Sequence, residues 1–581
     1  MHRYGHRLST RTALWAGVVL WAVWRVHAVL SLPSYADPRE TLLFEDIARV
    51  HAGLPPVLFH WPGTPWTWLL AWATRLTNST LEPDMLVVSR LLTIPFGIAS
   101  LLSAYGLASR VLRGPLVPIA LLAVAPGFAS GEANLALVDV PALTLSLVAL
   151  NIAFRAVPAE GISRYVLGAA AGAAVGLGAA FKLPAAAALP VVAVLVAPSP
   201  GGVRARVVAL ALLAAGATCG FVAGCPYILR DALGPGAGPV LAGLAYEMRH
   251  YNRGHFGVFA TAGSPVAAYT ASHAAAAVWC LGPGGLATLV PLVAWAAYKT
   301  LTRRTFWLWV WATCCIGAIL LHRFSFPRHW LMAGPPIFML ASMGLEALTA
   351  RWAVGARIAV AAALCSGAAV CVGLNARESG PSTFEAADAW LSDIGARYGV
   401  SAVGVGADPR LSWLYPRSAH GGPGRVNHAD LRVVARLEAD IQIAAEMRPD
   451  TFRDDDFFPL TRAHYQDGAA HLALRDARQY AEVARFAPDD PAWARRGAFL
   501  GLRPSRSTRC CIQTSGCTPR RTRPRASRRP IDPLWARSYT ARTTGGDPRI
   551  CFSTGSNTAT TGFAPVSSDA ADTPSAMCTP P

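Results

Sequence analysis

Between positions 13 and 374 one apolar run follows another, several of them near the ~20 residues that a helix needs to cross a bilayer. In lipid every backbone N–H and C=O must be satisfied within the protein, and repeated spans of this length do so as helices. The sequence therefore predicts an all-α polytopic membrane protein. Basic residues set the direction of the spans. Arg3, Arg7 and Arg11 precede the first run, and Arg110, Arg113, Arg155, Arg164, Arg204, Arg206, Lys299, Arg351 and Arg357 fall where alternate spans end. Placing them all in the cytoplasm gives a consistent path of about eleven spans. The net charge of +18 belongs to these loops and not to nucleic-acid binding. Arg25 and His27 interrupt the first run, and no small-residue cleavage site follows it, so it reads as a retained span and not a signal peptide.

Composition then divides the chain. Residues 1–375 form the membrane domain, with the first outer loop at 31–68. Residues 376–502 carry more charge and shorter apolar runs, which predicts a small extracytoplasmic α/β domain: a strand within 399–407 and a helix over 430–447 with apolar spacing of three and four. Residues 503–581, rich in Arg, Pro, Ser and Thr, have too few aliphatic side chains to build a core and read as disordered. None of the twelve cysteines falls between 381 and 500, and no CxxC pair occurs, so neither a zinc module nor a disulfide framework is expected.

Charges beside a membrane are costly and usually functional, which directs attention to the first outer loop. Asp37, Glu40, Glu45 and Asp46 crowd there, followed by His60 and the boundary-seeking aromatics Phe59, Trp61, Trp66 and Trp68. Asp37 heads the candidates for a general base, with Glu40 next; Glu45 and Asp46, further along the helix, are expected in solvent. Asp139 lies near the outer end of a span, where it serves either as a functional acid or as a helix N-terminal acid before Pro141. Arg328 and His329, with Arg323, form an outer cationic cluster suited to a phosphate. Lys182, between two short apolar pieces, and Arg90, early in the second span, are further phosphate candidates. The loop around 247–257 adds His250 and His255, which suit a phosphate or a divalent metal; their spacing matches no strong ligand signature. No nucleotide-binding motif is present, which favours a lipid-carried donor over a nucleotide sugar.

Taken in order, the early acid, FHWP, VDVP, the Lys after a glycine-rich span, RHYNRGHFG and PRHWLMAGPP resemble the GT-C superfamily of polytopic glycosyltransferases. The likeness is to the branch of protein mannosyltransferases and lipid A aminoarabinose transferase, and covers roughly residues 13–375. It implies a polyprenyl-phosphate sugar donor, an active site facing outside, and a catalytic acid in the first outer loop. The family's usual Asp-Glu pair is Asp37-Pro38 here, with Glu40 three positions on. The resemblance points to Asp37 with Glu40 as the catalytic acids and to Arg328, Lys182, His255 and Asp139 as further site positions. Together with the reading of the residues this puts Asp37 and Glu40 in catalysis, Arg328, Lys182, His255 and Arg90 at the donor phosphate, and Asp139, His60 and His250 at the acceptor or a metal.

The expectation is a multi-pass enzyme of the plasma (inner) membrane that transfers a hexose or pentose to a protein, glycan or lipid of the cell envelope. No cofactor beyond a candidate divalent metal is expected. Two other classes fit the same charges: a transporter or lipid flippase, which needs them near the midplane, and an inactive scaffold in envelope assembly.

Overall fold

The computed structural model describes residues 2–32, 38–56, 59, 63–79, 82–197, 202–234, 238–252, 265–302, 305–322 and 325–379, together with four short strands between 405 and 513. The described residues between positions 2 and 379 are almost entirely helical.

Among the described residues, seven helices are long and apolar enough to cross a membrane: Thr10–Ser31, Asp84–Val111, Asp139–Ala156, Gly161–Phe181, Gly202–Gly224, Pro327–Thr349 and Trp352–Ala376. Three shorter apolar helices, Leu183–Val196, Leu289–Lys299 and Phe306–Leu320, fall where further spans were expected. Proline accounts for much of the shortening. The span expected over 115–128 divides into Leu116–Ala123 and Pro126–Ala129, with Ala125 extended between them. A residue before proline is driven out of the helical region, and proline donates no helix hydrogen bond. Over 184–196, Pro184 and Pro190 start a 3-10 turn, Leu183–Ala188, and then a short helix, Leu189–Val196. The last helical stretch, Gly334–Glu378, breaks at Trp352 (φ −136°, ψ 50°) into two spans.

Small residues set the tightest contact. Gly172 and Gly176 on the Gly161–Phe181 helix face Leu213 and Ala217, and Gly216 and Gly220 on the Gly202–Gly224 helix face Ala169 and Ala173. A Cβ at any of the four would overlap the facing carbonyl oxygen, so the two backbones touch along their length. Between helices in lipid, where burial supplies no drive, such small-residue contact is what holds a pair together. On the outside of the bundle Val203, Val207, Val354 and Ile358 are exposed, as lipid-facing side chains are.

The strands form one sheet in the order β1-β2-β4-β3, from Val405–Ala407 (β1), Leu431–Ala435 (β2), Tyr480–Phe486 (β3) and Thr508–Gln513 (β4). β1 runs parallel to β2; β4 is antiparallel to both β2 and β3. β1 lies in the segment read as a strand. Leu431–Ala435, expected as the start of a helix, is instead a strand: its LRVVA run is β-branched and short, and strand pairing outweighs the weak helical spacing. β4 lies beyond position 502, so the sheet reaches into the segment expected to be unfolded; Cys510, Cys511 and Ile512 supply the apolar residues of that strand.

Candidate functional site

The first polar cluster is built on the helix that follows the opening span. The Pro38–His51 helix carries Glu40 into the protein, where only 1% of it is exposed. Its Oε1 accepts from Arg90 Nε at 3.0 Å and from the Ala136 amide at 2.8 Å, and its Oε2 accepts from Arg90 Nη2 at 2.8 Å. This is the two-pronged geometry in which a guanidinium meets a carboxylate best. Two of the expected site residues are thus brought together and engaged with each other. Asp46, expected in solvent, is fully buried. Amphipathic spacing did not show that this helix turns an acidic face inward.

The same stretch of chain, 133–136, is gripped from three sides. Trp66, expected at the membrane boundary, is fully buried, and its indole N–H donates to Ala136 O at 2.9 Å. A buried indole needs such a partner. Arg25 donates to Ala133 O and Asn134 Oδ1, reaches Thr93 Oγ1 at 3.3 Å, and lies 5.5 Å from the Trp21 ring. Asn134 in turn donates to Asn375 Oδ1 at 3.0 Å. Arg25, which in the sequence only interrupts the first span, is therefore a buried clasp on the loop that leads to Asp139. Its signal was present: an arginine inside an apolar run needs an internal partner.

Loss of one side of the Glu40–Arg90 pair leaves the other charge buried and unmatched, at a typical cost of about 3–5 kcal/mol. Glu40→Ala and Arg90→Ala are each expected to lower the thermal unfolding temperature of the purified protein sharply. The double variant should be no worse than either single one.

Three residues beyond Ala136 the second cluster begins. Asp139 opens the Asp139–Ala156 helix, and Lys182 ends the Gly161–Phe181 helix with an extended backbone. Lys182 Nζ donates to Asp139 Oδ1 at 2.5 Å, with the two side chains only 12% and 9% exposed. His329, on the Pro327–Ala333 turn, is buried and lies within electrostatic reach of Lys182, Arg328, His322 and His273. Its Nδ1 accepts the Phe326 amide at 3.3 Å, which places a ring proton on Nε2. Arg328 stacks its guanidinium 4.4 Å from the Phe326 ring. The His322 and His329 rings are 6.2 Å apart. His329 therefore has two cations within reach, Lys182 and Arg328, and Lys182 is paired with the acid Asp139, a local excess of positive charge among these groups.

Burial, and secondarily the charge of His273, hold the His322 imidazole below its ordinary value of 6.5. The unfolded chain then binds a proton that the folded one refuses, so the associated stability is present above about pH 6.5 and is lost as the pH falls toward the folded value. Thermal unfolding followed from about pH 7.5 to about pH 5 should show stability declining toward acid, and His322→Gln should flatten the decline.

Asp37, His60 and His255 lie outside the described residues. His250 falls on the Pro239–Asn252 helix, but its side chain lies outside them too. Among the described residues no group of three or more His, Cys, Asp or Glu could hold a metal ion. Three side chains absent from the sequence expectations also border the second cluster. Tyr269, Ser272 and His273 sit on one face of the Pro265–Leu281 helix, the last two buried. A polar i, i+3, i+4 set within an apolar helix was their visible signal.

No protein-family model matches the chain, and no curated protein matches it by sequence. Among solved structures, ArnT from Cupriavidus metallidurans bound to undecaprenyl phosphate is similar at a TM-score of 0.50 and 14% identity, over 86% of this chain and 98% of that one. The chain has the GT-C fold. The Archaeoglobus fulgidus oligosaccharyltransferase AglB, in complex with an inhibitory peptide and a dolichol-phosphate, is similar at a TM-score of 0.48 and 14% identity, over 84% of this chain and 81% of that one. Within the GT-C fold, this chain joins its two polar clusters through the single stretch 133–139.

Proposed function

We propose that this protein is an integral-membrane glycosyltransferase that moves a sugar from a polyprenyl-phosphate donor to an acceptor outside the cytoplasm. The observation that carries the reading is the buried His329 within electrostatic reach of both Arg328 and Lys182, the latter paired with Asp139. The excess positive charge of that group matches a phosphate that gains charge as its bond to the sugar breaks. The similar ArnT structure binds undecaprenyl phosphate, which supports the same class of donor here.

The reaction is a displacement at the anomeric carbon. An acceptor hydroxyl or amine attacks that carbon, the carbon–oxygen bond to phosphate breaks, and its electron pair leaves on the phosphate. Asp37 takes the acceptor's proton, and attack from the face opposite the phosphate inverts the configuration. Lys182, Arg328 and the Nε2–H of His329 hold the leaving phosphate, and the family resemblance assigns His255 to the same group. Asp139 orients Lys182. Glu40 and Arg90, engaged with each other, fix the Pro38–His51 helix rather than touching substrate. His60 and His250 belong to the acceptor side on their sequence positions alone. The positive-inside pattern of the sequence supports a site on the outer side of the plasma membrane.

A radiolabelled polyprenyl-phosphate sugar, supplied to membranes containing the protein, tests the reading. Transfer of label to an endogenous envelope acceptor, absent from membranes without the protein, is the expected result. Label that crosses the bilayer while still on its lipid would instead identify a flippase, and no change in label would identify an inactive scaffold.

A further inference from the structure

The Pro265–Leu281 helix makes contacts that the proposed chemistry leaves unexplained. Tyr269 Oη donates to Leu320 O at 2.6 Å. Both ring nitrogens of His273 face carbonyl oxygens, Nδ1 toward Tyr269 O at 2.9 Å and Nε2 toward Ile319 O at 3.2 Å. Ser272 Oγ accepts from the Ser325 amide at 3.0 Å. Ile319 and Leu320 are the last residues of the Phe306–Leu320 helix, whose final carbonyls have no partner within the helix. Ser325 begins the short link into Phe326, over which Arg328 stacks and whose amide fixes the His329 ring. One helical face thus ties down both the end of one helix and the start of the segment that presents two cationic-site residues.

We infer that Tyr269, Ser272 and His273 are positioning residues that hold Arg328 and His329 in place for an anionic ligand, the phosphate of a lipid-linked donor. The inference rests on the function proposed above. The three residues reach backbone atoms of Ile319, Leu320 and Ser325, and Ser325 leads through Phe326 into the side chains that would meet the phosphate. The cost of losing them should therefore appear through Arg328.

The test uses the full-length protein in nanodiscs, with undecaprenyl phosphate as the probe and thermal unfolding as a control. His273→Leu is expected to weaken binding by about tenfold in the native background, and by less than about twofold when Arg328→Ala is already present, because residues in one chain of contacts do not act additively. Ser272→Ala should follow the same pattern with a smaller effect, and it serves as the working variant if His273→Leu does not fold. Equal weakening in both backgrounds, or no weakening in either, overturns the inference, since a merely structural role would act independently of Arg328. Unchanged binding in Arg328→Ala alone would overturn the phosphate site itself, which is a separate failure.

Discussion

Asp37→Asn is expected to lower sugar transfer by about 10²–10⁴-fold while the protein still inserts and folds, the usual range for removing a general base. The amide has the shape of the carboxylate but cannot accept the acceptor's proton. Labelled-donor transfer measured beside thermal unfolding gives the two readouts that matter. Full transfer by the variant would remove Asp37 from the mechanism. Glu40, three residues on, makes the informative contrast. It is buried against Arg90 and the Ala136 amide, so its loss should appear in stability first. Two acids in one short stretch are thereby assigned opposite signatures, and exchanging those signatures would reverse their roles.

Lys182→Met should have the second large effect, and a compensating change separates its two parts. Removing the ammonium leaves Asp139 nearly buried without its partner, which costs about 3–5 kcal/mol of stability. It also removes a cation from the phosphate side, where a charge-assisted hydrogen bond contributes about 1.5–3 kcal/mol, or at least tenfold in affinity. Adding Asp139→Asn removes the stranded charge, so stability should return toward that of the native protein. Binding of undecaprenyl phosphate should not return with it. Recovery of both properties together would show that Lys182 serves only to neutralise Asp139.

Much of the membrane domain was legible because lipid imposes simple demands. Long apolar runs such as 202–224 and 352–376 could be little else, and Asp139, Lys182 and Arg328 announced themselves as charges out of place. What sequence spacing does not carry is who meets whom. Asp139 and Lys182 are 43 residues apart, and Arg90 and Glu40 are 50 apart. That Arg90 meets Glu40 through two hydrogen bonds could therefore not be read from the sequence. Trp66 read as a boundary anchor because its type prefers that place, yet Ala136 offers its indole an acceptor inside. The polar face of the Pro265–Leu281 helix is hidden in the sequence by the helix's apolar mean composition. Proline positions were visible, but their effect on span length depended on whether a neighbouring helix could satisfy the freed backbone groups.

The three hydrogen bonds on Glu40 also tie three distant parts of the chain to one carboxylate: the Pro38–His51 helix that carries it, Arg90 fifty residues on and the Ala136 amide ninety-six residues on. None of the three can shift without disturbing the other two, so this corner of the protein answers to a load as one block.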